Sequence, residues 1–152
     1  MPKIQSLLTG RPVLSLRQER SAFDAAREMA RNHVGALLVT DAHDRPCGIF
    51  TERDLMVRVV VPGRDPARVL LSEVMTRELF TTPPDRKVAE VVRELQERHI
   101  RHLPVVSGER VIGMLSLRDL LRADLEQATT ELTETRRYIA GELEEPPTLK
   151  ED

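Results

Sequence analysis

The feature that most restricts how this chain can fold is an internal repeat. Sliding the sequence over itself by 66 positions sets Arg20, Arg27, Glu28, His33, Leu37 and Val39 on Arg86, Arg93, Glu94, His99, Leu103 and Val105. A one-residue deletion then lowers the shift to 65, and Arg45, Gly48, Arg53, Asp54 and Leu55 fall on Arg110, Gly113, Arg118, Asp119 and Leu120. Several unmatched positions keep their polarity: Thr51 meets Ser116, Met29 meets Leu95, and Asp24 meets Glu90. Two copies are too few for a solenoid, so the expectation is a pseudo-twofold pair packed face to face.

Each copy reads as the same series of elements. Ala22, Ala25, Ala26, Met29 and Ala30 recur at helical spacing behind Ser21, a suitable N-cap, and Val88, Val91, Val92 and Leu95 do so in the second copy. Short apolar runs of strand length follow, Ala36-Leu37-Leu38-Val39 and Leu103-Pro104-Val105-Val106. Turn-forming residues then lead to Gly48-Ile49-Phe50 and Val111-Ile112-Gly113-Met114-Leu115, which predicts a hairpin in each copy. A second helix starts at Thr51 or Ser116. Pro12-Val13-Leu14-Ser15 and Leu79-Phe80-Thr81-Thr82 supply a strand before each first helix, completing a β-α-β-β-α unit. The fold class is therefore α/β (α+β), with two such repeats and a C-terminal extension helix.

The predicted boundaries are a first repeat over 2–60, a linker over 61–68 marked by Pro62, Gly63 and Pro66, and a second repeat over 69–123. Beyond Leu117, the residues Leu121, Leu125, Ala128, Leu132, Ile139 and Leu143 advance in helical steps, which predicts an amphipathic helix continuing over 124–145. The polar end, 146–152, reads as disordered. The leucine stripe exceeds what the two repeats obviously bury, so a homodimer is expected.

Composition narrows the function classes. Of 152 residues, 40% are hydrophobic and 32% charged, and no run approaches the roughly 18 uncharged apolar residues of a membrane span. No secretory signal is legible at the N-terminus, so the expected location is cytoplasmic. Cys47 stands alone and can form neither an internal disulfide nor a zinc set. With three Phe, one Tyr and no Trp, and with basic residues spread over both copies, the chain lacks the stacking residues and basic run of a nucleic-acid binder. Asp41, His43 and Asp44 crowd one hairpin loop, where Asp serves as a turn former; no metal site is predicted. His33 and His99 sit at equivalent helix C-termini, where partial positive charge suits the dipole. No nucleophile elbow or Walker loop occurs, and no catalytic residues are predicted.

The sharpest local signal is Gly48-Ile49-Phe50-Thr51-Glu52-Arg53-Asp54, echoed by Gly113-Met114-Leu115-Ser116-Leu117-Arg118-Asp119. The glycine admits another group close to the strand, and hydroxyl and carboxylate stand three residues apart at a helix start. One reading is a capping box that satisfies the helix's own N–H groups. The other is a ribose-phosphate site, with phosphate at the helix N-terminus beside Arg53 or Arg118 and ribose hydroxyls donating to the aspartate.

The repeated Gly-x-x-Thr/Ser-x-x-Asp motif, the Ile100-Arg101-His102-Leu103-Pro104-Val105-Val106 strand and the Glu73-Val74-Met75-Thr76 opening resemble a tandem pair of cystathionine-β-synthase (CBS) domains, a Bateman module, over residues 2 to 123. The resemblance implies paired sheets flanked by helices, with clefts between the repeats that take AMP, ADP, ATP or S-adenosylmethionine as regulatory ligand and with no required cofactor. By position it implies that Asp54 and Asp119 hold ribose hydroxyls, that Thr51 and Ser116 contact phosphate with Arg53 and Arg118 beside them, and that Arg101 and His102 lie near the phosphates. The first copy has Gly35 and Ala36 in place of Arg101 and His102, so the second is expected to be the more phosphate-avid. Two functions fit: a non-catalytic sensor of adenosine ligands that signals to a partner protein, and a ligand-independent dimerisation or scaffold module.

Overall fold

The computed structural model describes residues 1–142, so Leu143, the end of the predicted 124–145 helix and the 146–152 tail lie outside the described residues. The chain forms two compact units, residues 11–81 and residues 1–10 together with the chain from Thr82 onward. Both are mixed α and β. No helix among the described residues is long and apolar enough to cross a membrane.

In the first unit, strand β1 (Ser15–Arg17) pairs in parallel with β2 (Ala36–Thr40), which pairs antiparallel with β3 (Pro46–Thr51). Strand β1 lies slightly later than the predicted Pro12–Ser15, because Pro12 cannot donate to a ladder; the Leu14 carbonyl still accepts from the Leu38 N–H at 2.9 Å. Helix α1 (Ala22–Asn32) connects β1 to β2. It starts where predicted, with Ser21 Oγ accepting the Asp24 N–H at 3.1 Å, and buries Ala22, Ala25 and Met29 against the sheet core of Leu37, Val39 and Phe50. It ends at His33, which adopts φ 53°, while the Val34 N–H reaches back to the Met29 carbonyl at 3.1 Å. His99 repeats this with φ 56° and a bond from the Ile100 N–H to the Leu95 carbonyl at 2.9 Å. The repeated histidines thus occupy left-handed helix terminators, a backbone requirement in addition to any dipole effect.

After β3 the chain makes one α-turn, α2 (Glu52–Asp54), and then widens into π-helical winding over Leu55–Val60, closed by the Val61 N–H on the Met56 carbonyl at 2.9 Å. A regular helix was the expectation here. Val57, Val59, Val60 and Val61 are β-branched and Pro62 follows, which weakens ordinary helical winding over this stretch. Helix α3 (Leu71–Val74) closes the unit, with Glu73 Oε2 accepting the Leu70 N–H at 2.8 Å.

In the second unit, α4 (Val88–Glu97) buries Val88, Val91, Val92 and Leu95, β4 (His102–Ser107) pairs antiparallel with β5 (Arg110–Ser116), and α5 (Leu117–Ile139) begins directly at the strand end. The predicted Leu79–Thr82 strand shrinks to a single parallel bridge between Thr82 and Val105, made by Thr82 N–H to the Pro104 carbonyl at 3.1 Å and Val106 N–H to the Thr82 carbonyl at 2.9 Å. Pro83 and Pro84 have no N–H to extend it.

The compact units are cut differently from the 2–60, 61–68 and 69–123 segmentation. Residues 69–76 complete the first unit: the Ala22 N–H bonds to the Val69 carbonyl at 2.8 Å, the Leu71 N–H to the Arg20 carbonyl at 2.9 Å, and Thr76 pairs with Ile49 on β3. Residues 2–8, with a 3-10 turn at Ile4–Leu7, complete the second: the Val88 N–H bonds to the Pro2 carbonyl at 3.0 Å and the Ile4 N–H to the Arg86 carbonyl at 2.9 Å. In each case the motif glycine is what lets the added segment close in. A Cβ on Gly48 would stand 2.6 Å from Met75 Sδ and 3.0 Å from the Thr76 carbonyl oxygen; one on Gly113 would stand 2.5 Å from Leu8 Cδ2.

Gly48→Ala should therefore destabilise the protein by about 1–3 kcal/mol, since backbone must move, whereas Gly113→Ala should cost less because the tip of half-exposed Leu8 can swing aside; denaturant midpoints of the two variants check the order. Three carboxylates tie the fold to pH, Asp41 among them, held below the usual carboxylate range by the N–H groups of Arg45 and His43. Asp24 is held below the usual carboxylate range by its bond from Arg20, and Glu73 by the Leu70 N–H and Arg64. Their contribution is present above the unfolded value, about 4, and is lost as pH falls through the lower folded value. Unfolding followed by circular dichroism should set in below about pH 4, and Glu73→Gln should flatten that acid limb.

Candidate functional site

The second unit brings its predicted residues into one neighbourhood by strand register. His102 opens β4 directly opposite Ser116, the last residue of β5, and the Leu117 N–H donates to the Arg101 carbonyl at 2.7 Å. Side chains paired this way share a sheet face at about 5 Å. The strand therefore delivers Arg101 and His102 to the start of α5. There Ser116 Oγ accepts the Asp119 N–H at 3.1 Å and Asp119 Oδ2 accepts the Ser116 N–H at 3.2 Å, a reciprocal capping box. Asp119 is exposed, and its Oδ1 has no partner among the described residues. The side chains of Arg101 and Arg118 are exposed and make no ion pair or hydrogen bond among the described residues, while His102 is half-buried.

The first unit repeats the register with different chemistry. Ala36 stands opposite Thr51, and the Glu52 N–H donates to the Gly35 carbonyl at 3.0 Å, so Gly35 and Ala36 occupy the places of Arg101 and His102. The box is again formed: Thr51 Oγ1 accepts the Asp54 N–H at 3.2 Å, and Asp54 Oδ2 accepts the Thr51 N–H at 3.0 Å and the Thr51 hydroxyl at 3.1 Å. Here the carboxylate is 7% exposed and both its oxygens are engaged, since the Thr76 hydroxyl reaches Oδ1 at 3.2 Å and Arg58 Nε stands 3.6 Å from Oδ1. Arg58 also donates to the Met75 carbonyl at 2.8 Å. Arg53 is exposed and unpaired among the described residues.

Thr76 and Arg58 are therefore site neighbours that the motif alone did not single out. A signal existed for Thr76: continuing the repeat upstream at a shift of 67 sets Leu8 and Thr9 on Met75 and Thr76. Arg58 has no such signal, because its role depends on carbonyls at Val74 and Met75. Beside this network lies an open hollow of about 400 Å³ bordered by Arg58, Thr76, Arg77, Glu73 and Glu78. Its charges are mixed, and both arginines already donate to backbone carbonyls, so it offers no clear anion preference.

The remaining polar candidates have structural uses. Asp41 Oδ1 accepts the N–H groups of His43 at 2.8 Å and Arg45 at 3.0 Å, forming the hairpin turn, and these bonds lower its pKa. Cys47 is half-buried against the first unit's core, its thiol 3.8 Å from Gln18 Oε1; burial pushes the thiol's pKa up, which leaves it a poor nucleophile.

Comparison with known proteins accounts for this geometry. The family model for the CBS domain matches twice, over residues 6–61 and 71–126. The chain is 34% identical over 125 residues to the CBS domain-containing protein CBSX3, mitochondrial, of Arabidopsis thaliana, a match covering 80% of this chain. The chain spans about three fifths of the length of that relative. Among solved structures, a protein with CBS domains from Burkholderia ambifaria superposes with a TM-score of 0.78 at 31% identity, covering 82% of this chain and 95% of the other. A CBS domain protein from Pyrobaculum aerophilum complexed with AMP does so with a TM-score of 0.74 at 28% identity, covering 85% and 99%. Two family matches that fall on the two sequence repeats, and share their strand-to-helix motif, make this chain a member of the CBS-domain family carrying a tandem pair.

Proposed function

We propose that this CBS pair is a non-catalytic regulatory module that binds an adenosine-containing ligand, of the class AMP, ADP, ATP or S-adenosylmethionine, and signals the bound state to a partner protein. The observation that carries the reading is the difference between two otherwise matching aspartates. Asp119 caps its helix with one oxygen while the other, Oδ1, has no partner among the described residues, whereas Asp54 has both engaged. A carboxylate offers only acceptors, so an open oxygen is what a ribose hydroxyl needs. Ser116 and the start of α5 suit a phosphate, with Arg118, Arg101 and His102 supplying donors and charge. Thr51, Arg53 and Asp54 form the weaker counterpart. The AMP held by the Pyrobaculum aerophilum relative supports the ligand class.

For such a ligand to signal, it must favour one conformation over another. A 10- to 100-fold response needs a difference of about 1.4–2.7 kcal/mol between the states. One or two charge-assisted hydrogen bonds made in one state alone would supply it. The second reading, a ligand-independent dimerisation module, draws its support from the capping boxes, which give both hydroxyls and both carboxylates a use within the protein.

Thermal unfolding separates the two readings. A true ligand at about 100 times its dissociation constant should stabilise by roughly 2.7 kcal/mol, a rise of about 5–10 °C for a chain of this size. An unmoved midpoint with all four compounds at millimolar concentration would exclude adenosine sensing. By calorimetry at a temperature where every variant is folded, Asp119→Ala should weaken binding more than Asp54→Ala. Stability should follow the opposite order, with Asp54→Ala costing about 2–3 kcal/mol because three donors lose a buried acceptor.

A further inference from the structure

The outer part of α5 leaves a surface uncovered. Leu125, Leu132 and Ile139 are 68%, 53% and 78% exposed, while Leu120 one step away from the same stripe is fully buried. The stripe lies roughly 100° around the helix from Leu120, so packing at the start of α5 does not cover it. The segment between is a poor helix former by itself: Thr129, Thr130, Thr133 and Thr135 turn their hydroxyls back to carbonyls four residues earlier, each at 2.9 Å. An exposed helix with this composition gains its stability from whatever packs on its apolar face.

The spacing says what kind of surface that is. Leu121, Leu125, Ala128, Leu132, Thr135 and Ile139 alternate four- and three-residue steps without a break, placing Leu125, Leu132 and Ile139 at heptad a positions and the other three at d. The flanking charges then select the occupant. Asp124 and Glu131 fall at g; Arg122 and Arg136 fall at e. In a parallel pair, g faces e of the next heptad on the partner helix, so Glu131 meets Arg136 of the other helix twice, by symmetry. In an antiparallel pair, g faces g and e faces e, bringing acid against acid and arginine against arginine. Arg136 makes no ion pair among the described residues, and Glu131 is steadied by Gln127 Nε2 at 2.7 Å. We propose that residues 121–139 of α5 pair with the same stretch of a second copy of this chain as a parallel, two-stranded coiled coil. This interface is independent of the ligand reading and survives if no adenosine compound binds.

Sedimentation of the full chain and its variants tests the surface, and disulfide trapping tests its direction. The native chain should sediment as a dimer, and Leu125→Glu with Leu132→Glu should give a monomer whose circular dichroism retains the signal of the two units; a monomeric native chain, or a dimer that survives the double substitution, overturns the proposal. Glu131→Arg or Arg136→Glu alone should raise the dimer dissociation constant about tenfold or more, and the two together should restore it, since only a parallel register regains the g–e pairs. Failure of that rescue overturns the parallel arrangement. In a Cys47→Ser background, Ile139→Cys should cross-link to itself on oxidation. If instead only mixtures of Leu121→Cys and Ile139→Cys chains cross-link, positions about 27 Å apart along one helix are meeting and the pair is antiparallel.

Discussion

A missing side chain governs how each unit is completed. Gly48 and Gly113 lie at the same point of the hairpin, and the space where a Cβ would stand is taken by Met75 in one unit and by Leu8 in the other. Because Met75 can enter, the adjacent Thr76 pairs with Ile49 through bonds of 2.8 and 2.9 Å in the two directions. That pairing delivers the Thr76 hydroxyl to Asp54 and the carbonyls of Val74 and Met75 to Arg58. The state of the first motif aspartate thus follows from a glycine six residues before it.

The two copies of the motif have taken the same scaffold in different directions. Both use a hydroxyl and a carboxylate to satisfy the first N–H groups of a helix, an arrangement that stabilises the helix start whether or not anything binds. In the first unit, burial makes an unsatisfied carboxylate costly, and Thr76 and Arg58 meet that demand. In the second, Asp119 is exposed, so solvent can satisfy its second oxygen, which has no partner among the described residues. The strand opposite adds Arg101 and His102 there and only Gly35 and Ala36 in the first unit. A difference between two copies of one Gly-x-x-Thr/Ser-x-Arg-Asp motif therefore arises from what the neighbouring strand and the preceding segment bring.

Much of this was legible before the structure. Ser21, Thr51 and Ser116 as helix N-caps, the apolar faces of α1 and α4, the hairpins and the equivalence of Arg101-His102 with Gly35-Ala36 all rest on relations within four residues or on the repeat itself. The shortened strand at Thr82 had its reason in Pro83 and Pro84, and the π-helical stretch in a run of valines before a proline.

The sequence by itself determined the repeat, the order of elements, the capping chemistry and the residues that gather at each strand-to-helix turn, because periodicity and caps are short-range and a duplicated pattern reinforces each of them. Only the tertiary structure decided which segment completes which unit, and that Asp54 is used up while Asp119 is not. Those outcomes depend on contacts such as Thr76 to Asp54, 22 residues apart, and on burial, which a local pattern of polar and apolar residues does not specify.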